Sequence, residues 1–301
     1  MTRHFKNVIV LGAGAIGSFY GSRLSGNIEV LLIGRKPHVD AINRHGLEVR
    51  GANAGIYNVS AINELDHIPE ATLLIFSMKA SSLTNSIQRV QHLIQPDTVV
   101  LLLQNGLGNE EILRRYLPPE VEIVRGLSLF GVQAVEPGVV EVKFVGPTVI
   151  PDSQTGRHVK ELFESSGLSI RLSGDMDYEI WMKLVLNCVI NPLTAIYRVP
   201  NKSIANESLK PIIAAIIDEC KTIADAEGVK LPENMLDAVY NAASEYSNYS
   251  SMCQDVMRGR NTEIEFLNGK VVELGKKHGI PTPVNNVITN MVRFMEGRKW
   301  T

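Results

Sequence analysis

The chain has 301 residues, which is enough for about two domains. Its net charge of −2, with 45% hydrophobic and 21% charged residues, is ordinary for a soluble globular protein and gives no field that would attract nucleic acid or an anionic membrane. No apolar run approaches the ~20 residues that span a bilayer, and no signal peptide is expected ahead of the first strand. We therefore expect a cytoplasmic protein that has neither nucleic acid nor a membrane as a partner.

The cysteines and histidines indicate neither disulfides nor a metal. Cys188, Cys220 and Cys253 are widely spaced and odd in number, as is usual for reduced thiols of a cytoplasmic protein. The seven histidines show no paired metal-ligand spacing. We expect free thiols and no metal site.

The first strong signal along the chain is a glycine motif between an apolar run and a helix-compatible run. Residues 8–11 predict a buried strand, and residues 18–24 predict the helix that follows. A G-x-G-x-x-G turn in this place is typical of dinucleotide-binding βαβ units, where the glycines permit the tight turn, the approach of a pyrophosphate and close helix packing. The alternative is a glycine-rich turn without a ligand. The motif comprises Gly12, Ala13, Gly14, Ala15, Ile16 and Gly17.

The end of the second predicted strand, residues 29–33, favours NADP(H) over NAD(H). An NAD enzyme usually has an acidic residue there to bind the ribose 2′-hydroxyl. Arg35 and Lys36 stand in that place instead. An arginine fork can bind a 2′-phosphate in two places. The alternative is a pair of solvated surface cations.

Strand and helix patterns then alternate up to about residue 174. Nearly all-apolar runs at residues 73–77, 99–103 and 122–124 are typical of a parallel sheet covered on both faces. Helices are predicted near 80–94, 108–116 and 153–166, a hairpin at 131–145, and a last strand at 169–172.

From residue 175 onward the strand patterns vanish. Helical stretches are predicted near 175–197, 207–228, 232–247, 262–278 and 284–296. The sequence therefore predicts an α/β protein, with an N-terminal Rossmann dinucleotide-binding domain at 1–174 and an all-helical C-terminal domain at 175–301.

The helix predicted over residues 181–194 is apolar nearly all round. Its polar side chains, Lys183, Asn187, Asn191 and Thr194, share one narrow stripe at about 100° per residue. A helix that is apolar all round is normally buried, so the stripe favours a polar site over a solvated face. Pro192 is expected to kink the helix or end a segment of it.

Three further positions have a functional and a structural interpretation, which the residues alone leave open. Glu263 could be catalytic, or it could lie in the first turn of a helix capped by Thr262. Lys79 and Asn105 follow predicted strands, where ligands collect. Lys79 could instead start a helix, and Asn105 could belong to an Asn-Gly turn.

Over almost its whole length the chain resembles the ketopantoate reductases (2-dehydropantoate 2-reductases). The helix run at 181–195, including Lys183, Asn187 and Asn191, is the most specific match. The other matching motifs occur in order along the chain: the glycine motif, Lys79, residues 104–108, 250–255, 262–265, 268–269 and 279–285.

The resemblance implies reduction of ketopantoate to pantoate by NADPH, in pantothenate biosynthesis. It implies that Lys183 is the general acid and Glu263 its supporting carboxylate. The implied substrate-binding residues are Asn105, Asn187, Asn191, Ser251 and Lys79, and the implied cofactor-binding residues are the glycine motif, Arg35, Lys79 and Asn105.

Three alternatives remain open. The chain could reduce another 2-oxo acid, act as an opine-type or glycerol-phosphate-type dehydrogenase, or serve as a non-catalytic NADP(H) sensor. A sensor needs the glycine motif but not a Lys–Glu pair, so Lys183 and Glu263 count against it. A homodimer is left open as the assembly.

Overall fold

The computed structural model describes residues 5–245 and 247–298. The chain divides into two compact units. The first contains the residues up to Gln104 together with Asn109–Met176, and the second contains Asn105–Gly108 together with the residues from Asp177 onward.

The first unit alternates strands with helices. Its short strands are rich in Val, Ile and Leu, the residues that suit a buried sheet. Its elements are β1 (Asn7–Leu11), α1 (Ala15–Leu24), β2 (Glu29–Ile33), α2 (Lys36–His45), β3 (Leu47–Gly51), β4 (Gly55–Tyr57), β5 (Ser60–Ile62), β6 (Thr72–Phe76), α3 (Leu83–Val90), β7 (Val99–Leu102), α4 (Asn109–Arg114), β8 (Glu122–Arg125), β9 (Leu127–Ser128), β10 (Gly131–Glu136), β11 (Val139–Phe144), β12 (Thr148–Pro151), α5 (Gln154–Ser165) and β13 (Ile170–Ser173).

A six-stranded parallel sheet carries this unit, in the order β5-β2-β1-β6-β7-β8. Every residue of β6 and β7 is buried, as a sheet covered on both faces requires. The strand order reverses beside β1, whose neighbours are β2 and β6. Ligands of such sheets bind outside the carboxyl ends of the strands at this switch point, which places the loops after β1 and β6 at the expected cofactor position.

The first unit also contains a four-stranded and a three-stranded sheet, which were not predicted from the sequence as separate sheets. The predicted hairpin is present as β10 and β11, and it extends through β3 to β4. The last predicted strand, β13, pairs with β12 and through it with β9. Strands β4 and β5 have three residues each, and β4 has no buried residue, so neither produces a clear apolar pattern in the sequence.

The second unit is helical throughout its described part. Its helices are α6 (Met176–Tyr197), which begins at the last residue of the first unit, α7 (Lys210–Ala226), α8 (Met235–Glu245), α9 (Ser251–Met257), α10 (Asn268–His278) and α11 (Pro283–Met295), with short 3₁₀ turns between several of them. The predicted order of a parallel-sheet domain followed by a helical region is thus confirmed.

Helix α6 is the core helix of the second unit. Buried residues along it, including Trp181, Leu184, Val185 and Val189, pack in one hydrophobic cluster with the other helices. Helix α6 is long and apolar enough to cross a membrane, whereas no apolar run of that length was expected from the sequence. However, 61% of its most apolar 18-residue stretch is buried inside the protein. A core helix passes the same test, and the packing identifies α6 as one.

Candidate active site

The turn after β1 needs glycine at its first position because of a close neighbour. Gly12 has φ +98°, a conformation that L side chains rarely adopt. A Cβ on Gly12 would lie 2.5 Å from the backbone nitrogen of Met78, in the loop after β6. The two loops at the switch point therefore touch each other, and only a residue without a side chain fits between them.

Ser77 holds the same turn in place, although it was not predicted from the sequence. Its hydroxyl donates to the carbonyl oxygen of Gly12 at 3.0 Å, and its backbone N–H donates to Leu11 at 2.9 Å. A Cβ on Gly17 would collide with the Ser77 hydroxyl and with the Gly12 carbonyl. Gly12 and Gly17 are thus required by packing inside the protein.

Gly14 differs from its two partners, since the protein itself does not demand a glycine there. Its φ of −87° suits any residue. A Cβ on Gly14 would find only the Gly12 carbonyl within 4 Å, at 3.9 Å. Gly14 is the residue before α1 and gives the helix no side-chain cap, so the first-turn N–H groups are available to an anion. These features fit a dinucleotide pyrophosphate at the start of α1.

The two cations after β2 are in different situations. Lys36 forms an ion pair with Asp40, Nζ to Oδ2 at 3.1 Å. Arg35 is exposed at the start of α2, and within the described residues no hydrogen bond or ion pair is recorded for its guanidinium. Arg35, rather than Lys36, can therefore receive a phosphate without losing a partner.

His38 joins α2 to α1 and to the β10–β11 turn. Its Nδ1 accepts from the N–H of Gly138 at 2.9 Å, so Nε2 carries the proton and donates to the Ser18 hydroxyl at 2.9 Å. Burial, and then the positive charge of Arg35, lower the pKa of His38. The neutral ring is thereby held between α1 and the β10–β11 turn.

Lys79 follows β6 at the carboxyl edge of the sheet. It is half-buried and immediately precedes a 3₁₀ turn, Ala80–Ser82. It lies next to Met78 and so beside the glycine turn. The predicted placement of Lys79 near a cofactor position thus agrees with the topology of the first unit, and its role stays a prediction.

The second unit holds the polar stripe of α6. Lys183 and Asn187 are half-buried, and Asn191 is 8% exposed. Their spacing of four residues places them on one face of a continuous helix. Because the surrounding residues of α6 are buried and apolar, these three side chains form a polar strip along a core helix.

Helix α9 is tied to α6 at Thr194, three residues after the last member of this strip. The Ser250 hydroxyl caps α9 by accepting the N–H of Cys253 at 3.0 Å. It also lies 2.6 Å from the Thr194 hydroxyl, which donates to the carbonyl of Ile190. Ser251, the first residue of α9, is thereby fixed relative to α6 through its neighbour.

Glu263 pairs with Asn105. Asn105 Nδ2 donates to Glu263 Oε2 at 3.2 Å. The pairing follows from the loop at 105–108, where Gly106, at φ +81°, packs directly against the backbone of Phe266 and Leu107 N–H donates to the Phe266 carbonyl at 3.1 Å. The structure therefore brings together two predicted site residues that are far apart in sequence.

Of the two interpretations left open for Glu263, the structure does not support a place in the first turn of a helix capped by Thr262. The Thr262 hydroxyl accepts the N–H of Ile264 at 3.2 Å and donates to Glu296 at 2.5 Å, and a 3₁₀ turn, Ile264–Phe266, follows. Helix α10 begins only at Asn268. Helix capping thus does not explain Glu263.

Arg125 is a buried residue that sequence reasoning missed. Its guanidinium donates to the carbonyl of Leu102 at 3.1 Å and to that of Gln104 at 2.7 Å. It is 7% exposed and holds the chain just after β7, directly before Asn105. An arginine at the end of an apolar strand gives no signal of this role.

Cysteine and metal chemistry add little to the site. Cys188, Cys220 and Cys253 are free, as predicted, and the structure buries all three. Within residues 5–245 and 247–298, no group of three or more His, Cys, Asp or Glu residues could hold a metal ion.

Comparison with known families identifies both units. The family described as "Ketopantoate reductase PanE/ApbA" matches residues 8–155, and its C-terminal counterpart, "Ketopantoate reductase PanE/ApbA C terminal", matches residues 175–296.

Relatives with this name cover nearly the whole chain. A 2-dehydropantoate 2-reductase of Pyrococcus horikoshii is 34% identical over 96% of this chain and 97% of its own length. One from Streptococcus pyogenes is 31% identical over 96% and 97%.

Solved structures share the fold as well. A PanE/ApbA family ketopantoate reductase from Ralstonia eutropha is 31% identical, with a TM-score of 0.89 over 97% of this chain and 99% of its own. A ternary structure of D-mandelate dehydrogenase with NADH and anilino(oxo)acetate is 28% identical, with a TM-score of 0.91 over 96% and 97%. The chain belongs to the ketopantoate reductase family, a family of oxidoreductases.

Proposed function

We propose that this protein reduces 2-dehydropantoate to pantoate with NADPH, in the cytoplasm, as a step of pantothenate biosynthesis. The observation that carries the proposal is the strip of Lys183, Asn187 and Asn191 on a core helix that is otherwise apolar. The names of the relatives support the choice of substrate. Residues 1–174 would bind the cofactor, and residues 175–301 would bind substrate and supply the catalytic groups.

The residues of the first unit fit NADPH. The N–H groups at the start of α1 would bind the pyrophosphate against Gly14, and Arg35 would bind the 2′-phosphate. The cofactor-binding set is Gly12, Ala13, Gly14, Ala15, Ile16, Gly17, Arg35, Lys79 and Asn105. When bound, NADPH supplies a hydride to the carbonyl carbon of the substrate.

Lys183 supplies the proton. A carbonyl that takes up hydride develops negative charge on its oxygen, so a cationic donor beside that oxygen stabilises the transition state more than the ground state. The Lys183 ammonium gives its proton to this oxygen, and the product is a secondary alcohol. Proton transfer from a positioned side chain typically contributes ~10²–10⁴-fold in rate.

The remaining polar residues would orient the substrate. A 2-oxo acid presents a carboxylate, and 2-dehydropantoate also presents a hydroxyl. Asn187, Asn191 and Ser251 can donate to these groups, and Asn105 and Lys79 are proposed to contact both substrate and cofactor. Glu263, which Asn105 already orients, would accept a hydrogen bond from the substrate hydroxyl.

A second candidate function is reduction of an aryl 2-oxo acid with NADH. The likeness to D-mandelate dehydrogenase bound to NADH favours it. The exposed Arg35 after β2 counts against NADH, since an NAD enzyme usually has an acidic residue there.

The two functions separate in one assay. The purified protein is mixed with NADPH or NADH and with 2-dehydropantoate, phenylglyoxylate, 2-oxoisovalerate or pyruvate, and cofactor oxidation is followed at 340 nm. The proposal expects the highest kcat/KM for the pair NADPH and 2-dehydropantoate. A preference for phenylglyoxylate and NADH would establish the second function, and turnover of none of the four acids would contradict both.

A further inference from the structure

Pro192 leaves a gap in the hydrogen bonding of α6. In an α-helix each N–H donates to the carbonyl four residues earlier, and proline has no N–H. The carbonyl of Cys188 therefore lacks its donor within the helix. Helix α6 nevertheless continues to Tyr197, and both Cys188 and Pro192 are buried.

Asn268 supplies the missing donor. Its Nδ2 donates to the carbonyl oxygen of Cys188 at 2.9 Å, from the first residue of α10. Asn268 is fully buried. A buried carbonyl normally requires a hydrogen-bond partner, and here a side chain of another helix takes the place of the absent N–H.

A second asparagine orients Asn268. The Nδ2 of Asn268 also donates to Asn285 Oδ1 at 2.9 Å, and Asn285 Nδ2 donates to Glu219 Oε2 at 2.7 Å. This series of hydrogen bonds has the Glu219 carboxylate at one end and the Cys188 carbonyl at the other, and both groups can only accept a hydrogen bond. The orientation of each amide is therefore fixed by chemistry.

Glu219 itself is held at the start of α11. Its two carboxylate oxygens accept the N–H groups of Val284 and Asn285 at 2.8 and 2.9 Å. A carboxylate is favoured at a helix N-terminus. Glu219, Asn285 and Asn268, which we call the amide relay, thus connect α7, α11 and α10 to one carbonyl of α6.

The carbonyl held by the amide relay lies between two residues of the proposed substrate site. Cys188 directly follows Asn187 and is three residues before Asn191. At an internal proline, helices bend where the backbone hydrogen bond is lost. The Asn268 donor therefore binds α6 between the segment carrying Lys183 and Asn187 and the segment carrying Asn191.

We propose that Asn268 is a positioning residue for catalysis. By binding the Cys188 carbonyl that Pro192 leaves open, it sets the relative directions of Lys183, Asn187 and Asn191. The inference rests on the proposed function, because it assigns those three side chains to the substrate.

The first test replaces Asn268 with leucine, which has a similar size but no donor. We expect kcat/KM for 2-dehydropantoate to fall at least 10-fold. A rise in KM would reflect displacement of Asn187 and Asn191, and a fall in kcat would reflect displacement of Lys183. The dissociation constant for NADPH should stay within twofold. Asn286→Leu, the same change at an exposed position of α11, is the matched control and should leave all three values within twofold.

Pro192→Ala distinguishes a positioning role of Asn268 from a purely structural one. The test uses a variant that is expected to stay folded. Alanine restores the N–H that donates to Cys188, so the melting temperature should equal or exceed that of the native protein, while kcat/KM should still fall several-fold. In Asn268→Leu/Pro192→Ala, the melting temperature should recover and kcat/KM should not. Native kcat/KM in Pro192→Ala, or its recovery in the double variant, would overturn the proposal.

Hydrogen–deuterium exchange of peptides from α6 gives a readout that does not depend on activity. Asn268→Leu should exchange faster than the native protein between residues 187 and 197, and Asn286→Leu should not. If the native protein does not reduce 2-dehydropantoate, the proposed function fails. Unchanged exchange in Asn268→Leu would instead overturn the role of Asn268, whatever the substrate.

Discussion

Asn105 Nδ2 donates a hydrogen bond to Glu263 Oε2 at 3.2 Å, across a sequence separation of 158 residues. The loop of residues 105–108 clusters with the helical unit, although it directly follows the β7 segment of the first unit. The contact joins a proposed substrate ligand to the proposed supporting carboxylate, so a change at either residue should affect the other.

Asn105→Asp should place two carboxylates within hydrogen-bond distance. Two such groups cannot both ionise easily, and the pKa of one of them rises. We expect low kcat/KM at pH 8 and partial recovery toward pH 5.5, where one carboxyl is protonated and can donate again. The pH profile of kcat/KM, relative to the native profile, measures this. A variant profile parallel to the native one would contradict the pairing.

Arg35→Ala should weaken NADPH selectively. Loss of a charge-assisted hydrogen bond to the 2′-phosphate costs about 1.5–3 kcal/mol, which corresponds to roughly 10- to 150-fold in the Michaelis constant for NADPH. NADH kinetics should change little. Lys36→Ala is the matched control, because Lys36 is already paired with Asp40. Equal losses in the two variants, or equal use of both cofactors by the native protein, would refute the assignment of Arg35.

Gly14→Ala should separate folding from cofactor binding. The added Cβ meets no protein atom closer than 3.9 Å, so the melting temperature without cofactor should change by only a degree or two. Because the same Cβ would lie where the pyrophosphate approaches, the rise in melting temperature on adding NADPH should largely disappear. Gly12→Ala, with a backbone clash and φ +98°, should instead reduce soluble expression. Unaltered stabilisation of Gly14→Ala by NADPH would exclude the pyrophosphate site.

Acid should destabilise the first unit through His38. The pKa of His38 is lowered from 6.5 in the folded protein, first by burial and then by Arg35. Below pH 6.5 the unfolded chain therefore binds more protons than the folded chain, so stability falls as pH falls. Melting curves between pH 8 and pH 5 should show a smaller loss in His38→Gln than in the native protein. If the native protein and His38→Gln lost the same stability between pH 8 and pH 5, protonation of His38 would not be what destabilises the first unit in acid.

The parts of the fold with strong periodicity could be predicted from the sequence. The central strands are nearly all-apolar runs, and α6 is a 22-residue helix with a narrow polar strip. The glycine motif has a local geometric cause at Gly12 and Gly17. Strands β3 to β5 were not predicted, because each has exposed residues and none shows the continuous apolar burial of β6 and β7.

Contacts that depend on tertiary structure could not be predicted. The Asn105–Glu263 pair and the buried guanidinium of Arg125 arise from residues distant in sequence. Pro192 was expected to kink α6 or to end a segment of it, but the helix continues to Tyr197. Nothing nearby in the sequence showed that Asn268 would supply a donor to the carbonyl that Pro192 leaves open.

The rate of hydride transfer in Lys183→Ala tests the central claim most directly. A single turnover of protein-bound NADPH, and of NADPH deuterated at the transferred position, is followed by stopped flow after mixing with 2-dehydropantoate. The proposal expects a rate at least ~10²-fold below native, as for loss of a positioned proton donor, with the dissociation constant for NADPH unchanged. A rate within a few-fold of native, with an isotope effect showing that hydride transfer limits it, would contradict the assignment of Lys183 as the proton donor.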